Sequence, residues 1–460
     1  MDKYDSISPL DYRYYSGEIF DKLQPYLSEN AAIRYQLMVE VALVMALAEK
    51  RICSSKIAGE IEAAAKKVTA AEVYEEEKRI KHNIRALVNC IRRKVSAEAK
   101  PYVHFTATSN DITSTSESMR IRDAVVKVLL PELAELERIL IEIAEREKNT
   151  LQIGRTHGQH AEPITFGFTI ASYVSRLGGR ILKIKDAADE LRGKFSGAVG
   201  AYNASSLFIK DAEKFEEFVL EKIRMKPGSH STQLVEAEYI TDLMHAIVSA
   251  MGVMANISDD MRHLQRSEIA EVYEEFGAEQ VGSSTMPHKR NPINFENVKS
   301  MWKEFAPRMI TVYADQISEH QRDLTNSASS RFNTEIVAAA VISASRLKKV
   351  MSRLKVDKAS LKNNFDKSSS VIAAEPAYIL LASLGHPDAH ETARKLTLEA
   401  GKTGKGFEDL LLKDRKLKPY LKRLTKQQLD ILKNPEKYTG LASEKTGNVC
   451  REWRGKLGIK

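Results

Sequence analysis

Residues 231–266, STQLVEAEYITDLMHAIVSAMGVMANISDDMRHLQR, decide the fold class. Leu234, Ile240, Leu243, Met244, Ile247, Val248, Met251, Val253, Met254 and Ile257 recur at helical spacing but fill more than one stripe. At ~1.5 Å per residue an unbroken helix over this span would reach roughly 54 Å. Helices of that length suit a bundle. The apolar surplus exceeds what one neighbour covers and points to helices from other subunits. Met251 and Met254 read as core rather than as ligands.

Working outward, further amphipathic helices are predicted at 110–129, 131–149, 163–192, 293–323 and 334–354. Upstream, residues 1–29 form a polar, tyrosine-rich arm. Asn30 reads as the cap of a helix from Ala31 to Lys50, and 55–100 as a charged helical region ended by Pro101. The Gly-rich segment Gly193 to Asn203 suggests a small hairpin or turn. Downstream of about 354, shorter helices punctuated by Gly385, Gly401, Gly404 and Gly406 suggest a smaller unit. The expected architecture is all-α with three domains: 1–101, 102–353 and 354–460. The central long-helix bundle is expected to join a tetrameric helical core.

Composition agrees. Of 460 residues, 43% are apolar and 29% charged, and only 22 Gly and 13 Pro argue against a turn-rich all-β fold. No run approaches the roughly 20 apolar residues of a membrane span, and no signal peptide is visible, so no membrane partner is expected. Three scattered cysteines form neither a disulfide framework nor a zinc pattern, which makes the cytoplasm the expected compartment. The net charge of +8 resides largely in 413–460, with 14 Lys and Arg against 5 Asp and Glu. Leu417, Leu421, Leu424, Leu429 and Leu432 interleave these cations at helical spacing, so a solvated helix face is expected rather than a nucleic-acid site.

The breaks between helices hold the residue types of chemistry. Thr108-Ser109-Asn110-Asp111 reads as a capped helix N-terminus, which can also bind carboxylates. In Gly154-Arg155-Thr156-His157-Gly158-Gln159-His160, two histidines stand three apart. The glycines disfavour a regular helix and no third ligand is near, so no metal is expected. Lys81-His82-Asn83 ends a charge run whose plain reading is a solvated face. Gly282-Ser283-Ser284-Thr285-Met286-Pro287-His288-Lys289-Arg290-Asn291-Pro292 collects hydroxyls, a cation and backbone N–H groups before the helix start at Ile293, which makes it an anion-binding loop.

That loop resembles the Ser-Ser-x-Met-Pro-x-Lys-x-Asn signature of the fumarase/aspartase superfamily. Its Met-Pro-His-Lys-Arg-Asn-Pro string and Arg155-Thr156-His157-Gly158-Gln159-His160-Ala161-Glu162-Pro163 are similar to the adenylosuccinate lyase family, and the likeness runs the length of the chain. The resemblance implies β-elimination of fumarate from two purine nucleotide substrates. These are adenylosuccinate and succinylaminoimidazole carboxamide ribotide. It implies no cofactor, and a homotetramer with each site built from three chains. It further implies Ser283 as general base, His157 as general acid, His82 as an aid near the leaving group, and Glu296 as a group orienting His157. Lys289 and Asn291 would stabilise the developing charge. Thr108 and Ser109 would hold the succinyl carboxylates, Gln233 would contact the ligand, and Lys81 and Asn83 would flank it. Arg322, Ser327 and Arg331, with Arg13 and Tyr14, would hold the 5′-phosphate. Asn83 and Asn110 depart from the commonest family residues.

Two alternatives stand beside this. Another superfamily lyase, such as one acting on argininosuccinate, would not need the phosphate-binding set. A helical scaffold or a basic RNA-binding protein would have no use for Ser283 or Lys289.

Overall fold

The structure is a computed structural model describing residues 8, 10, 12–14, 17–277, 279, 285, 286 and 288–459. Helices take 66% of the described residues. Strand is limited, among the described residues, to two two-stranded sheets. The all-α expectation therefore holds. The chain clusters into two compact units, the first made of 1–133, 179–254 and 300–346, the second of 134–178, 255–299 and 347–460.

In the first unit the Glu29–Glu49 helix is the central element. Ile33, Tyr35, Leu37, Val39, Leu43, Val44 and Leu47 are all buried. This helix packs against Ser55–Ala65, Ser109–Ala124 and Ala212–Glu221. Its cap is Ser28, whose Oγ accepts from Ala31 N at 3.1 Å, and Asn30 lies inside the first turn. A side-chain acceptor must precede the first free N–H groups, and Ser28 is the residue in extended backbone conformation. Next, Ala70–Ile80 ends where Lys81 turns left-handed at φ 57°, and His82 caps the following Asn83–Arg92 helix. Lys81-His82-Asn83 is therefore a helix–helix junction and not a face within a helix.

The expected 293–323 helix is divided. Ile293–Phe305 gives way to a tight turn at Ala306–Arg308, where Pro307 denies a backbone donor. Met309–Ala314 then closes it. Likewise the 231–266 span is helical only over Glu238–Leu264, and the 334–354 span over Asn333–Met351. Gly193 to Asn203 forms no hairpin. It is an irregular loop with one isolated parallel bridge, Gly193 to Pro227.

Within the second unit, Leu151–Thr156 and Gln159–Thr165 pair antiparallel across a two-residue turn, His157-Gly158. Both turn residues have positive φ, 53° and 75°, which matches the twist of a tight hairpin. At Gly154, beside a register shift, an added Cβ would stand 2.6 Å from Glu162 O, so the strands approach too closely for a side chain. The hairpin packs on the Lys358–Ile372 helix through Leu151, Ile153, Phe365 and Ile372. The C-terminal helices bury their own core around Phe407, Leu411, Leu417 and Leu432.

Contrary to the sequence reading, two stretches are long and apolar enough to cross a membrane by length and composition, Gly17–Glu49 and Glu238–Leu264. Most of each, 61% and 67% of its most apolar window, is buried inside the fold, as expected of core helices.

Candidate active site

In the first unit, the N-terminus of the Ser109–Ala124 helix is built on a buried ion pair. Lys194 and Asp111 are both 0% exposed, and Lys194 Nζ bonds Asp111 Oδ1. Each partner makes further hydrogen bonds. Lys194 Nζ also donates to Gly197 O at 3.0 Å. The Asp111 carboxylate accepts from Thr108 N at 2.8 Å and Gly197 N at 3.2 Å. A buried pair survives only when its leftover donors and lone pairs are satisfied in this way. The pair ties the 193–203 loop to the backbone of Thr108. That loop also closes on the next segment. Ser196 Oγ lies 2.7 Å from Ser231 Oγ, and Gly200, at φ 82°, sits where any Cβ would meet Ser231 O.

Gln233 follows directly. Its Oε1 accepts from Asn110 Nδ2 at 3.0 Å and from Arg322 Nη1 at 2.9 Å, and its backbone N donates to Gln321 O at 3.3 Å. Burial lowers Arg322 from the usual guanidinium range, with Asp323 opposing. Four separate segments (108–111, 193–197, 231–233 and 321–322) are thus joined. Of the predicted residues, Thr108, Ser109, Gln233 and Arg322 come together here.

The others in this unit stand apart in hydrogen bonding. His82 is exposed, and its Nδ1 accepts from Arg85 N at 3.2 Å, which leaves the proton of the neutral ring on Nε2. Asn83 uses its Oδ1 on the backbone N of Ile84 at 2.8 Å. Ser327 and Arg331 are exposed, and the Arg331 charge is felt at the Tyr74 phenol. Arg13 is exposed and Tyr14 half-buried. Among the described residues neither bonds Arg322, Ser327 or Arg331. Nearby, His104 Nδ1 lies 2.6 Å from the buried Glu40 carboxylate. Burial pulls that imidazole down, but the charge and hydrogen bond of Glu40 outweigh it and the net shift is upward.

In the second unit, His157 sits exposed at the hairpin tip. The strands beneath it are anchored by Glu271, fully buried. Its carboxylate takes Arg155 at 2.5 Å, Gln152 Nε2 at 2.9 Å and Asn364 Nδ2 at 2.9 Å. His160 lies 2.7 Å from Ser368 Oγ, so the two histidines face different surroundings. Burial, then the Arg155 charge, lowers His160.

Ser283 lies outside the described residues, as do Gly282, Ser284 and Pro287. Lys289 is exposed and Asn291 half-buried. Glu296, exposed, opens the Ile293–Phe305 helix, and among the described residues it makes no hydrogen bond to His157. The start of that helix is held by Glu274, whose carboxylate accepts from Asn294 N at 3.0 Å, Asn294 Nδ2 at 2.7 Å and Phe295 N at 3.1 Å. Burial raises Glu274, against these bonds. Gln265 adds a second tether by donating to Arg290 O at 3.3 Å.

Chemically, the first unit presents an array of anion-directed donors, and the second an exposed imidazole and a cation-bearing loop. A sequence model described as "Lyase" matches residues 14–304, and one described as "Adenylosuccinate lyase C-terminal" matches 318–439. The chain is 33% identical over 451 residues to the adenylosuccinate lyase of Archaeoglobus fulgidus, covering 97% of this chain and 98% of that one. With the adenylosuccinate lyase of Pyrococcus abyssi it is 35% identical over 452 residues, covering 96% and 97%.

The chain belongs to the adenylosuccinate lyase family.

For this adenylosuccinate lyase family member, similarity to solved structures shows the fold. The 3-carboxy-cis,cis-muconate lactonizing enzyme of Pseudomonas putida and the fumarate lyase of Mesorhizobium sp. BNC1 each give a TM-score of 0.82 at 22% identity, covering 96% of this chain and 98% of theirs. Sequence reasoning missed Lys194, Glu271 and Glu274, none of which belongs to the signature strings.

Proposed function

We propose that this chain cleaves adenylosuccinate to AMP and fumarate by β-elimination, and acts likewise on succinylaminoimidazole carboxamide ribotide. The observation that carries this is the end-to-end kinship with adenylosuccinate lyases at 33–35% identity. Arg322, Ser327 and Arg331 all lie within the matched C-terminal region.

In this reading Ser283 takes the proton from the carbon beside the distal succinyl carboxylate. The Cα–N bond breaks as the double bond forms, and His157 protonates the leaving nitrogen. A free serine is far too weak a base for this carbon acid, so stabilisation of the doubly charged carboxylate is the dominant requirement. Lys289 and Asn291 meet it, with backbone N–H groups of 283–286. Glu296 orients His157, and His82 assists at the leaving group between Lys81 and Asn83. Thr108 and Ser109 hold the succinyl carboxylates, and Gln233 contacts the ligand. Arg322, Ser327 and Arg331, with Arg13 and Tyr14, hold the phosphate. A homotetramer sharing its sites, a division near residues 101 and 353 into three domains, a cytoplasmic location and no cofactor belong to the same reading. The three free, buried cysteines agree with a reducing compartment.

Purified protein mixed with adenylosuccinate is expected to show the ultraviolet change of AMP formation, and Ser283→Ala and His157→Ala to abolish it. A folded protein inert on adenylosuccinate and active on argininosuccinate would overturn the assignment. Turnover surviving Ser283→Ala would overturn the choice of base.

A further inference from the structure

The hydrogen bonds around Gln233 have a direction that only one set of atoms can satisfy. A guanidinium carries donors alone, so the Gln233 atom 2.9 Å from Arg322 Nη1 must be the acceptor Oε1. The same oxygen lies 3.0 Å from the Asn110 amide, which must therefore turn its Nδ2 toward it. The Asn110 Oδ1 is then left to face Thr113, whose Oγ1 donates to it at 2.8 Å. Amide orientation, ordinarily assigned by convention, is here fixed by the chemistry of Arg322. Thr113 donates to Asn110, Asn110 to Gln233, and Arg322 to Gln233 from the other side.

With Oε1 occupied twice, the Gln233 Nε2 points away from both partners and has no partner among the described residues. Asn110 itself is 5% exposed, so it has little direct access to a ligand. Its place one residue after Ser109 nevertheless puts it beside the helix N-terminus proposed to hold a carboxylate.

We infer that Asn110 is a positioning residue that, with Arg322, locks the Gln233 amide so that its Nε2 presents N–H donors to a substrate carboxylate. This role rests on the proposed function. It differs from the bland alternative, in which Asn110 merely satisfies its own buried amide at a helix start. In that case its loss would act on stability and be indifferent to the side chain at 233. Asn110→Asp is the sharpest perturbation, because a carboxylate cannot donate to Oε1 and would drive the Gln233 amide to rotate away from Arg322.

The test is a double-mutant cycle in steady-state turnover of adenylosuccinate, with melting curves on every variant to confirm folding. Asn110→Asp is expected to raise KM about 30-fold, with kcat changed about threefold or less. Gln233→Ala is expected to be comparably impaired. In the Gln233→Ala background Asn110→Asp should cost no more than about threefold further, since the group it positions is gone. Asn110→Ala removes the donor without adding charge. It is expected to give a milder loss, about 5- to 10-fold, with the same non-additivity, and it carries the cycle if Asn110→Asp does not fold. Multiplicative effects, with Asn110 costing as much without Gln233 as with it, would overturn the positioning role while the active wild type upheld the proposed function. A wild type inert toward adenylosuccinate would overturn that function and this role with it.

Discussion

The two units set their proposed functional groups differently. In the first, several of them lie beside a buried ion pair, where Asp111 meets Lys194, Thr108 and Gly197. Of the residues proposed to bind substrate, Thr108, Ser109, Gln233 and Arg322 sit on this framework. In the second, His157, Lys289 and Glu296 project from a hairpin tip, a loop and a helix start, all exposed. Their support is one layer down, in Glu271 and Glu274. Thr108, Ser109, Gln233 and Arg322, proposed to bind substrate, are thus linked to a desolvated ion pair, whereas the groups proposed to react are carried on short elements anchored at the base. The second unit also holds a carboxylate with no partner. Glu137 is 0% exposed, and neither of its oxygens makes a hydrogen bond.

Four substitutions would break or sharpen this comparison. His157→Ala should reduce kcat about 10²- to 10⁴-fold, the range for a general acid, with only a modest fall in melting temperature, because the ring is exposed while alanine is less well tolerated than histidine at φ 53°. A large loss of stability instead would show that the tip is structural. Lys194→Met should do the reverse. It leaves Asp111 buried without its counter-charge and should cost about 3–5 kcal/mol in denaturant unfolding. If the loss were under about 1 kcal/mol, the first unit's framework would not depend on the pair.

Glu137→Gln should come next. Burial pushes its carboxyl up to about 9, from 4.5. A group raised in the folded state contributes fully below its unfolded value, and that contribution is lost as pH rises toward the folded value. Wild-type stability should therefore fall between about pH 4.5 and 9, at up to about 1.4 kcal/mol per unit. Glu137→Gln should flatten that slope and be more stable than wild type at pH 8, by about 2–4 kcal/mol. Parallel pH profiles for the two proteins would refute the assignment of a buried neutral acid. Smallest is Glu274→Gln, which keeps the shape but weakens the charge at the helix start. About 1 kcal/mol of stability and a several-fold loss in kcat are expected. An unchanged kcat would show that the anchoring does not reach Lys289.

Much of the fold could be read from periodicity, because its long helices carry strong apolar stripes. The predicted 334–354 span differs from Asn333–Met351 only at its edges. The hairpin at 151–165 escaped notice because Arg155 to Glu162 are polar and lack the strand alternation. It is held by partners distant in sequence, namely Glu271, Asn364 and Phe365. Lys194 was illegible for a related reason, since its counter-charge Asp111 lies 83 residues away. Thr108, Ser109, Gln233 and Arg322 were each legible as motif residues. That one amide oxygen joins Gln233 to both Asn110 and Arg322 could not be seen without the fold.

The hairpin turn leaves a mark on how position 157 can vary. A left-handed φ of 53° suits few side chains besides glycine, with asparagine, aspartate and histidine the better tolerated among them. Histidine thus meets a backbone requirement and, in the proposed mechanism, a chemical one at a single position. Alanine relinquishes both together, and a β-branched residue would strain the chain. Asparagine keeps the geometry and discards only the titratable ring, so of the available replacements it isolates proton transfer from the shape of the turn.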